Sequence, residues 1–175
     1  VVNDYGPLRQ DLKPVEITQP EGTSFSVEDN EITWQKWRFR MVVDDTECLV
    51  HHRVSYTQDG VERPIIDRAS LAEMVVPYGD TRPSQTFKHA LDSGEYGLGM
   101  TANSLTLGCD CLGEIFYLDA VQMLDDGSVV TTGNAICIHE EDFGSGGKHT
   151  DRLTGEVEGR RARRLVVSTI STVGN

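Results

Sequence analysis

Residues 77–110 carry side chains suited to acid–base chemistry, in a glycine-rich stretch with little of the alternation seen elsewhere. Asp92 follows an Ala-Leu pair, and a carboxylate beside apolar neighbours tends to have a raised pKa, which suits it to accept a proton. Tyr78 and Tyr96 can donate hydrogen bonds to an oxyanion. The alternative is that Asp92 only caps a turn, because Asp before Ser-Gly commonly does so. A long loop of this kind in a compact domain is usually functional.

Four cysteines stand at positions 48, 109, 111 and 137. Cys109 and Cys111 form a CxC pair, and neither the spacing nor the number of nearby ligands matches a standard zinc site. Two interpretations remain open for these residues. They are buried free thiols, or Cys111 and Cys137 form one disulfide that staples the ends of a hairpin predicted over residues 114–138.

The five histidines form no convincing set of metal ligands. His51 and His52 are neighbours in a predicted strand, so their side chains point to opposite faces and cannot bind one metal ion. The run 139–142, His-Glu-Glu-Asp, is predicted to be a polar strand end or a hydrogen-bonded turn. Residues 144–150 lack the spacing of a phosphate loop and are predicted to be a flexible glycine-rich loop. We therefore expect no metal site within this chain.

Most of the elements that must position these residues are predicted to be strands. In residues 37–43, Trp, Phe, Met and Val alternate with a mostly basic outer face, which is typical of a half-buried strand. Residues 59–60 and 125–127 are tight-turn signals. Residues 165–173 are apolar or small on both faces and predict a buried central strand. A second strand is predicted from a further alternation, formed by Cys48, Val50, His52, Val54 and Tyr56.

The rest of the pattern indicates an all-β sandwich preceded by a linker. Residues 1–22 contain three prolines and mixed charges and are predicted to be an extended arm, with a short strand at residues 15–18. Residues 23–175 then form the sandwich. No segment has sustained helical periodicity, and residues 69–76 are ambiguous for one or two helical turns. The arginines at 160, 161, 163 and 164 are expected to pair with acidic groups or a partner subunit.

Composition excludes several classes of function. The 175 residues include 16 Lys and Arg against 28 Asp and Glu, a net charge of −12. Such a balance argues against binding to nucleic acid or to an anionic membrane surface. No apolar run approaches the roughly 18 residues of a membrane span. With 38% hydrophobic and 25% charged residues, the chain has the composition of a folded domain.

Six blocks of sequence, in order, resemble the copper-containing primary amine oxidases, most closely the actinobacterial members. The resemblance runs nearly from end to end and predicts that the chain is the first part of the large β-sandwich catalytic domain. The blocks are DLKPVEITQPEGTSF (11–25), WQKW (34–37), RASLAEMVVPYGD (68–80), HALDSGEYGLGMTANSLTLGCDCLG (89–113), NAICIHEED (134–142) and LVVSTISTVGN (165–175).

The resemblance implies oxidative deamination, in which a primary amine and oxygen become an aldehyde, ammonia and hydrogen peroxide. The family uses copper and topaquinone, a quinone made from a tyrosine of the protein itself. That tyrosine follows an Asn which Asn175 matches, so we expect the quinone directly after this chain. The copper ligands are expected further on, and none of the five histidines matches them. The partners implied are a small primary amine, oxygen, the remainder of the polypeptide and a second subunit in a homodimer.

The resemblance also assigns roles to individual residues. Asp92 falls on the catalytic base, which takes a proton from the carbon next to the amine nitrogen, and Tyr78 falls on the tyrosine that hydrogen-bonds the quinone. Cys111 and Cys137 match an intrachain disulfide, which leaves Cys109 as a buried free thiol. The substrate-binding positions are Ala90, Leu91, Tyr96, Leu98, Val173, Gly174 and Asn175.

Two positions depart from the family pattern. Ala90 stands where some bacterial members carry a gating tyrosine, which implies a wider entrance and a broader or bulkier range of substrates. Cys48 stands where Gly is expected. A different class of function, a non-catalytic β-sandwich module for binding or structure, is the alternative to the oxidase.

Overall fold

The computed structural model describes residues 6–7, 9–71 and 75–173. Its regular secondary structure is, as predicted, almost entirely β-strand, with one four-residue helix among the described residues. The elements are β1 (Phe25–Glu28), β2 (Glu31–Trp34), β3 (Trp37–Asp44), β4 (Cys48–Gln58), β5 (Val61–Ser70), α1 (Ser93–Tyr96), β6 (Phe116–Met123), β7 (Val129–Thr150) and β8 (Val157–Ser168).

The strands form two antiparallel sheets in simple sequential order. One sheet has the order β1-β2-β3-β4-β5 and the other the order β6-β7-β8. The two-residue turn at Asp59-Gly60 joins β4 to β5 with φ of 52° and 77°. Two left-handed residues in succession match the right-handed twist of paired strands, which is why Asp-Gly is favoured there. The sequence prediction of this turn is confirmed.

The core lies between the facing sheets. Phe25, Ile32 and Met41 of the five-stranded sheet pack with Ile136 and Ile138 of the three-stranded sheet, and all five are buried. Aligned packing of two sheets, each with one apolar face, is what defines a β-sandwich. The alternation predicted for residues 37–43 is confirmed, because the odd-numbered side chains face this core and the even-numbered ones are exposed.

The alternation predicted for β4 is wrong in its second half because the strand contains a β-bulge. His52 lies opposite Arg40, whereas Tyr56 lies opposite Trp37, and those two β3 residues are on different faces. Arg53, with a φ of 51°, stands where the register between β3 and β4 shifts. The extra residue moves the second half of the strand to the other face, so His52 and Tyr56 do not share a face as predicted.

The β7–β8 hairpin is longer than the sequence indicated. Residues 144–150, predicted to be a flexible loop, belong to β7, where Lys148 pairs with Gly159 and Thr150 with Val157. Glycine lowers strand propensity, but backbone hydrogen bonds to a paired strand override it. The strand predicted at 165–173 is shorter than expected, because β8 ends at Ser168. Residues 165–168 are half-buried.

Two further local predictions, for residues 15–18 and 69–76, can be compared with the structure. Residues 15–18 form no strand in the structure. Of residues 69–76, the first two complete β5, and residues 72–74 lie outside the described part of the chain. In the part of the chain described, no helix is long and apolar enough to cross a membrane.

Candidate active site

Tyr78 and Ala90 lie on two extended segments that pair with each other. Pro77 and His89 form an isolated antiparallel bridge. The Tyr78 amide donates to the Lys88 carbonyl at 3.0 Å, and the Ala90 amide donates to the Val76 carbonyl at 2.9 Å. This pairing places Tyr78 beside the segment that leads, two residues after Ala90, to Asp92.

Asp92 stands at the start of the short helix α1, but its side chain does not cap that helix. Its backbone carbonyl accepts the Glu95 amide at 3.0 Å, and no hydrogen bond links its carboxylate to the first turn. Within the described ranges, the exposed carboxylate has no hydrogen-bond or ion-pair partner. The interpretation of Asp92 as a turn cap therefore finds no support, and the carboxylate is free to engage a group from outside these residues.

The other predicted substrate-binding residues differ in their surroundings. Leu91, Tyr96 and Val173 are exposed, as is Tyr78. Leu98 is half-buried and lines a cavity of about 450 Å³ together with Cys48 and Thr169. Ala90 is exposed. Gly174 and Asn175 lie outside the described residues.

The loop after α1 is fixed to the turn between β3 and β4 by backbone hydrogen bonds. The Leu98 amide donates to the Thr46 carbonyl at 3.0 Å, and the Gly99 and Met100 amides both donate to the Asp45 carbonyl, at 3.0 and 3.1 Å. The five-stranded sheet therefore holds the segment that follows Asp92.

A buried glutamine holds the same loop from the other sheet. Gln122 on β6 is 3% exposed, and its amide nitrogen donates to the Gly99 carbonyl. Thr132 on β7 donates to the Gln122 side-chain oxygen at 3.1 Å, which fixes the orientation of the amide. Sequence analysis missed this residue. The signal available was a glutamine two positions after Ala120, on the face of β6 that alternation predicts to be buried.

The loop is also paired with the last described residues of the chain. Ala102 and Ser171 form an antiparallel bridge, and the Asn103 amide donates to the Ile170 carbonyl at 2.8 Å. The Ser171 hydroxyl donates to the Leu98 carbonyl at 2.7 Å. The Asn103 side chain donates to the Thr172 hydroxyl at 2.9 Å. The segment that carries Asp92 and Tyr96 is thereby tied to the segment that leads to Val173.

Two glycines permit the close approach of this loop to the β3–β4 turn. A Cβ atom at Gly99 would lie 1.9 Å from the Asp44 carbonyl oxygen, and one at Gly97 would lie 2.5 Å from the Asp45 carbonyl oxygen. Gly97 also has a φ of 78°, which residues with a Cβ rarely adopt. Gly97 and Gly99 of the GEYGLG sequence are therefore required by packing.

Replacing Gly99 with Ala is expected to lower the free energy of unfolding by about 3 kcal/mol, because the added methyl group overlaps backbone atoms that cannot move aside cheaply. Gly147→Ala is the matched control, since a Cβ there meets nothing within 4 Å. Chemical denaturation of both variants measures the difference. Equal stability of the two variants would contradict the packing described for this loop.

The cavity at Leu98 includes two residues with unusual environments. Cys48 is buried and has a φ of 64°, the left-handed conformation that favours the glycine expected at this position. Its Sγ lies 3.4 Å from the Thr169 hydroxyl. Burial lowers the pKa of His51, and the neighbouring charge of His52 lowers it further, so the His51 imidazole is neutral at pH 7.

The cysteines follow the predicted pairing with one correction. Cys111 and Cys137 are joined as a disulfide, and Cys109 is a free thiol. Cys109 is exposed, not buried as expected, because it lies in a turn outside the cluster formed by the disulfide and Leu105. Within the described ranges, one group of three potential metal ligands exists, formed by Cys111, Cys137 and His139.

Glu140 joins three parts of the molecule. Its side chain is 2% exposed and accepts hydrogen bonds from the Ser24 amide at 2.8 Å, the Gln19 side chain at 2.7 Å and the Trp34 indole at 2.9 Å. Arg163 lies 3.6 Å away. Residues 139–142 lie inside β7, not at a strand end or in a turn as predicted, because β8 pairs with them. Glu140 is a buried carboxylate that ties the linker and β2 to β7.

The four arginines of β8 pair with acidic residues, which is one of the two arrangements that the sequence predicted. Arg161, Arg163 and Arg164 pair with residues of β7, and Arg160 pairs with Glu158 of β8 itself. Arg161 pairs with Asp142, and the Nε of Arg164 donates to Glu141 at 2.7 Å. Glu141 and Arg164 lie opposite one another across the hairpin, whereas Arg161 lies opposite Ser145 and reaches Asp142 diagonally.

Comparison with known proteins identifies the family of this chain. Residues 26–175 match the family described as copper amine oxidase, enzyme domain. The chain therefore belongs to the copper amine oxidase family.

Individual relatives agree with this assignment. A primary amine oxidase from Arthrobacter sp. strain P1 is 55% identical over 97% of this chain, and a histamine oxidase from Arthrobacter globiformis is 53% identical over the same share. The crystal structure of a copper-containing benzylamine oxidase from Hansenula polymorpha superimposes with a TM-score of 0.80 and 42% identity, covering 97% of this chain and 26% of that one. The chain spans about a quarter of the length of the two Arthrobacter relatives, 26% and 25%.

Proposed function

We propose that the polypeptide carrying this chain is a primary amine oxidase. It converts a primary amine and oxygen to an aldehyde, ammonia and hydrogen peroxide, with copper and topaquinone as cofactors. Membership of the copper amine oxidase family supports this proposal. The names of the relatives, which include methylamine, histamine and benzylamine oxidases, support primary amines of varied size as substrates.

The observation that carries the proposal is the pairing of residues 98–103 with residues 170–172. It ties the loop that carries Asp92 to the segment that leads toward the position after Asn175, where the resemblance places the quinone. Segments far apart in sequence are held together there by five hydrogen bonds, including those of Ser171 and Asn103. Such pre-organisation is what a base and its reaction partner require.

In this scheme the residues of the chain have separate tasks. A quinone carbonyl supplies the site of attachment for the amine and an acceptor for its electrons. Asp92, whose carboxylate has no partner among the described residues, accepts the proton from the carbon next to the amine nitrogen. Tyr78, exposed and paired beside the Asp92 segment, donates a hydrogen bond to the quinone oxygen. Exposed Ala90, Leu91 and Tyr96 line the approach of the substrate.

The remaining assignments belong to the same proposal. Residues 1–22 are a linker and residues 23–175 are the first part of the catalytic domain. The copper ligands lie beyond this chain, as the resemblance implies. Among the described residues, the group of three potential metal ligands has two members bonded to each other. The disulfide between Cys111 and Cys137 staples the β6–β7 hairpin to the preceding loop. The enzyme is a homodimer.

Peroxide formation tests the proposal. The polypeptide expressed from its whole coding sequence and loaded with copper is expected to stain for a redox-cycling quinone. It should also release hydrogen peroxide on addition of methylamine, histamine or benzylamine. A sample kept free of copper by a chelator from synthesis onward is the control and is expected to show neither signal. Absence of both signals from the copper-loaded protein would favour the non-catalytic module.

A further inference from the structure

His139 lies between the disulfide and an ion pair, in a position that the oxidase proposal does not use. It is 4% exposed. Its Nδ1 lies 4.0 Å from the Cys137 Sγ, and its Nε2 lies 2.9 Å from a carboxylate oxygen of Glu141. The other Glu141 oxygen accepts from the Nε of Arg164 at 2.7 Å. The four side chains therefore form a continuous row from sulfur to guanidinium.

The hydrogen bonding fixes which imidazole nitrogen can bind a metal ion. A carboxylate paired with Arg164 only accepts hydrogen bonds, so the neutral His139 ring carries its proton on Nε2. The lone pair is then on Nδ1, the nitrogen that faces the sulfur. Metal-binding histidines commonly have this arrangement, with the second nitrogen donating to a carboxylate.

We propose that reduction of the disulfide converts this cluster into a binding site for one Zn²⁺, with Cys111, Cys137 and His139 as ligands. The three ligand atoms already lie within 4.8 Å of one another. Around tetrahedral zinc, two sulfurs are about 3.8 Å apart and a sulfur and a nitrogen about 3.6 Å apart. The Nδ1 to Sγ separation of 4.0 Å is close to that value, so the main adjustment is separation of the two sulfurs.

The conversion is an ordinary thiol–disulfide exchange followed by metal binding, and its electrons and protons balance. A dithiol reductant gives two electrons and two protons to the disulfide and becomes a disulfide itself. Cys111 and Cys137 leave the exchange as thiols. They release those two protons when Zn²⁺ binds their thiolates, while neutral His139 binds without losing a proton. In the reverse direction a small-molecule disulfide accepts the two electrons and becomes two thiols, which restores the protein disulfide and releases the ion.

The surroundings suit a site with three protein ligands and one open position. Cys111, Cys137 and Leu105 are buried, and Ile115 and Tyr117 pack against them. The hydroxyl of Tyr117 is buried and has no hydrogen-bond partner among the described residues. A water molecule bound as the fourth zinc ligand would offer the Tyr117 hydroxyl a hydrogen-bond partner.

Zinc binding by the oxidised and reduced protein tests the proposal. The polypeptide is expressed from its whole coding sequence with Cys48→Ser and Cys109→Ser, so that these two free thiols cannot bind metal. It is loaded with copper, and half is reduced with a phosphine that is then removed without oxygen. Equilibrium dialysis against Zn²⁺ is expected to give one more zinc per chain in the reduced sample. With Co²⁺, the reduced sample should gain thiolate charge-transfer absorption.

Substitutions distinguish the cluster from general zinc binding. His139→Gln is expected to weaken zinc binding at least ~10-fold, and Glu141→Gln by ~10- to 100-fold because the His139 ring loses its anchor. His149→Gln, an exposed histidine on the same strand, is the matched control and should bind as the parent does. Equal zinc content before and after reduction would overturn the proposal, as would full binding by His139→Gln. Loss of the folded state on reduction, seen by near-ultraviolet circular dichroism, would overturn it too.

Discussion

Replacing Asp92 with Asn is expected to lower kcat for amine oxidation by about 10²- to 10⁴-fold, the usual contribution of a positioned general base. Asparagine has nearly the same shape but cannot accept the proton from the amine carbon. Because the Asp92 side chain makes no hydrogen bond to the helix that it precedes, the loop should keep its structure. Quinone formation should continue, whereas reduction of the quinone by the amine should stall.

Two measurements separate these steps. Titration with a carbonyl reagent gives the quinone content, and anaerobic stopped-flow absorption gives the rate of quinone reduction by the amine. Asp59→Asn is the matched control, because Asp59 lies in the β4–β5 turn and belongs to no proposed site. An Asp92→Asn enzyme with normal quinone content and normal turnover would remove Asp92 from the role of base.

Replacing Glu140 with Ala is expected to lower the free energy of unfolding by about 3–5 kcal/mol. The carboxylate accepts three hydrogen bonds in a buried position. Its removal leaves the Ser24 amide and the Trp34 indole without a partner, and leaves Arg163 without its charge partner. Breaking a buried charged network by removing one member has a cost of this size. Urea denaturation followed by Trp34 and Trp37 fluorescence measures it.

The same network predicts how stability depends on pH. Burial alone would raise the pKa of Glu140, but the hydrogen bonds from Ser24, Trp34 and Gln19, with the charge of Arg163, hold that pKa below its ordinary value. Stabilisation by a carboxylate with a lowered pKa is complete above the unfolded value, about 4.3 for glutamate, and is lost as the pH falls through the folded value. The stability difference between the parent and Glu140→Gln should therefore shrink below about pH 4.3.

Glu158→Ala is the control for both experiments, because Glu158 is an exposed residue on β8 whose partner Arg160 is also exposed. Its replacement should leave the unfolding midpoint unchanged within error. A Glu140→Ala protein as stable as Glu158→Ala would show that the buried contacts of Glu140 do not stabilise the fold.

Local patterns predicted much of the architecture. The alternation of residues 37–43 gave the correct buried face, and Asp59-Gly60 gave the correct turn. Both signals depend on residues within a few positions of each other, since strand periodicity and turn conformation are local properties. The predictions failed where pairing with residues distant in sequence determines the local structure. Residues 144–150 look like a loop by composition, yet they form strand because β8 pairs with them.

The sequence by itself determined the all-β class, the family and the residues whose chemistry suits the reaction, because residue types and ordered motifs are properties of the chain. Only the tertiary structure showed that Gln122 and Ser171 hold the loop after Asp92, and that Glu140 is buried. Each of these contacts joins residues at least 23 positions apart. Burial and hydrogen bonding of that kind arise only when the two sheets pack together, and no local pattern encodes them.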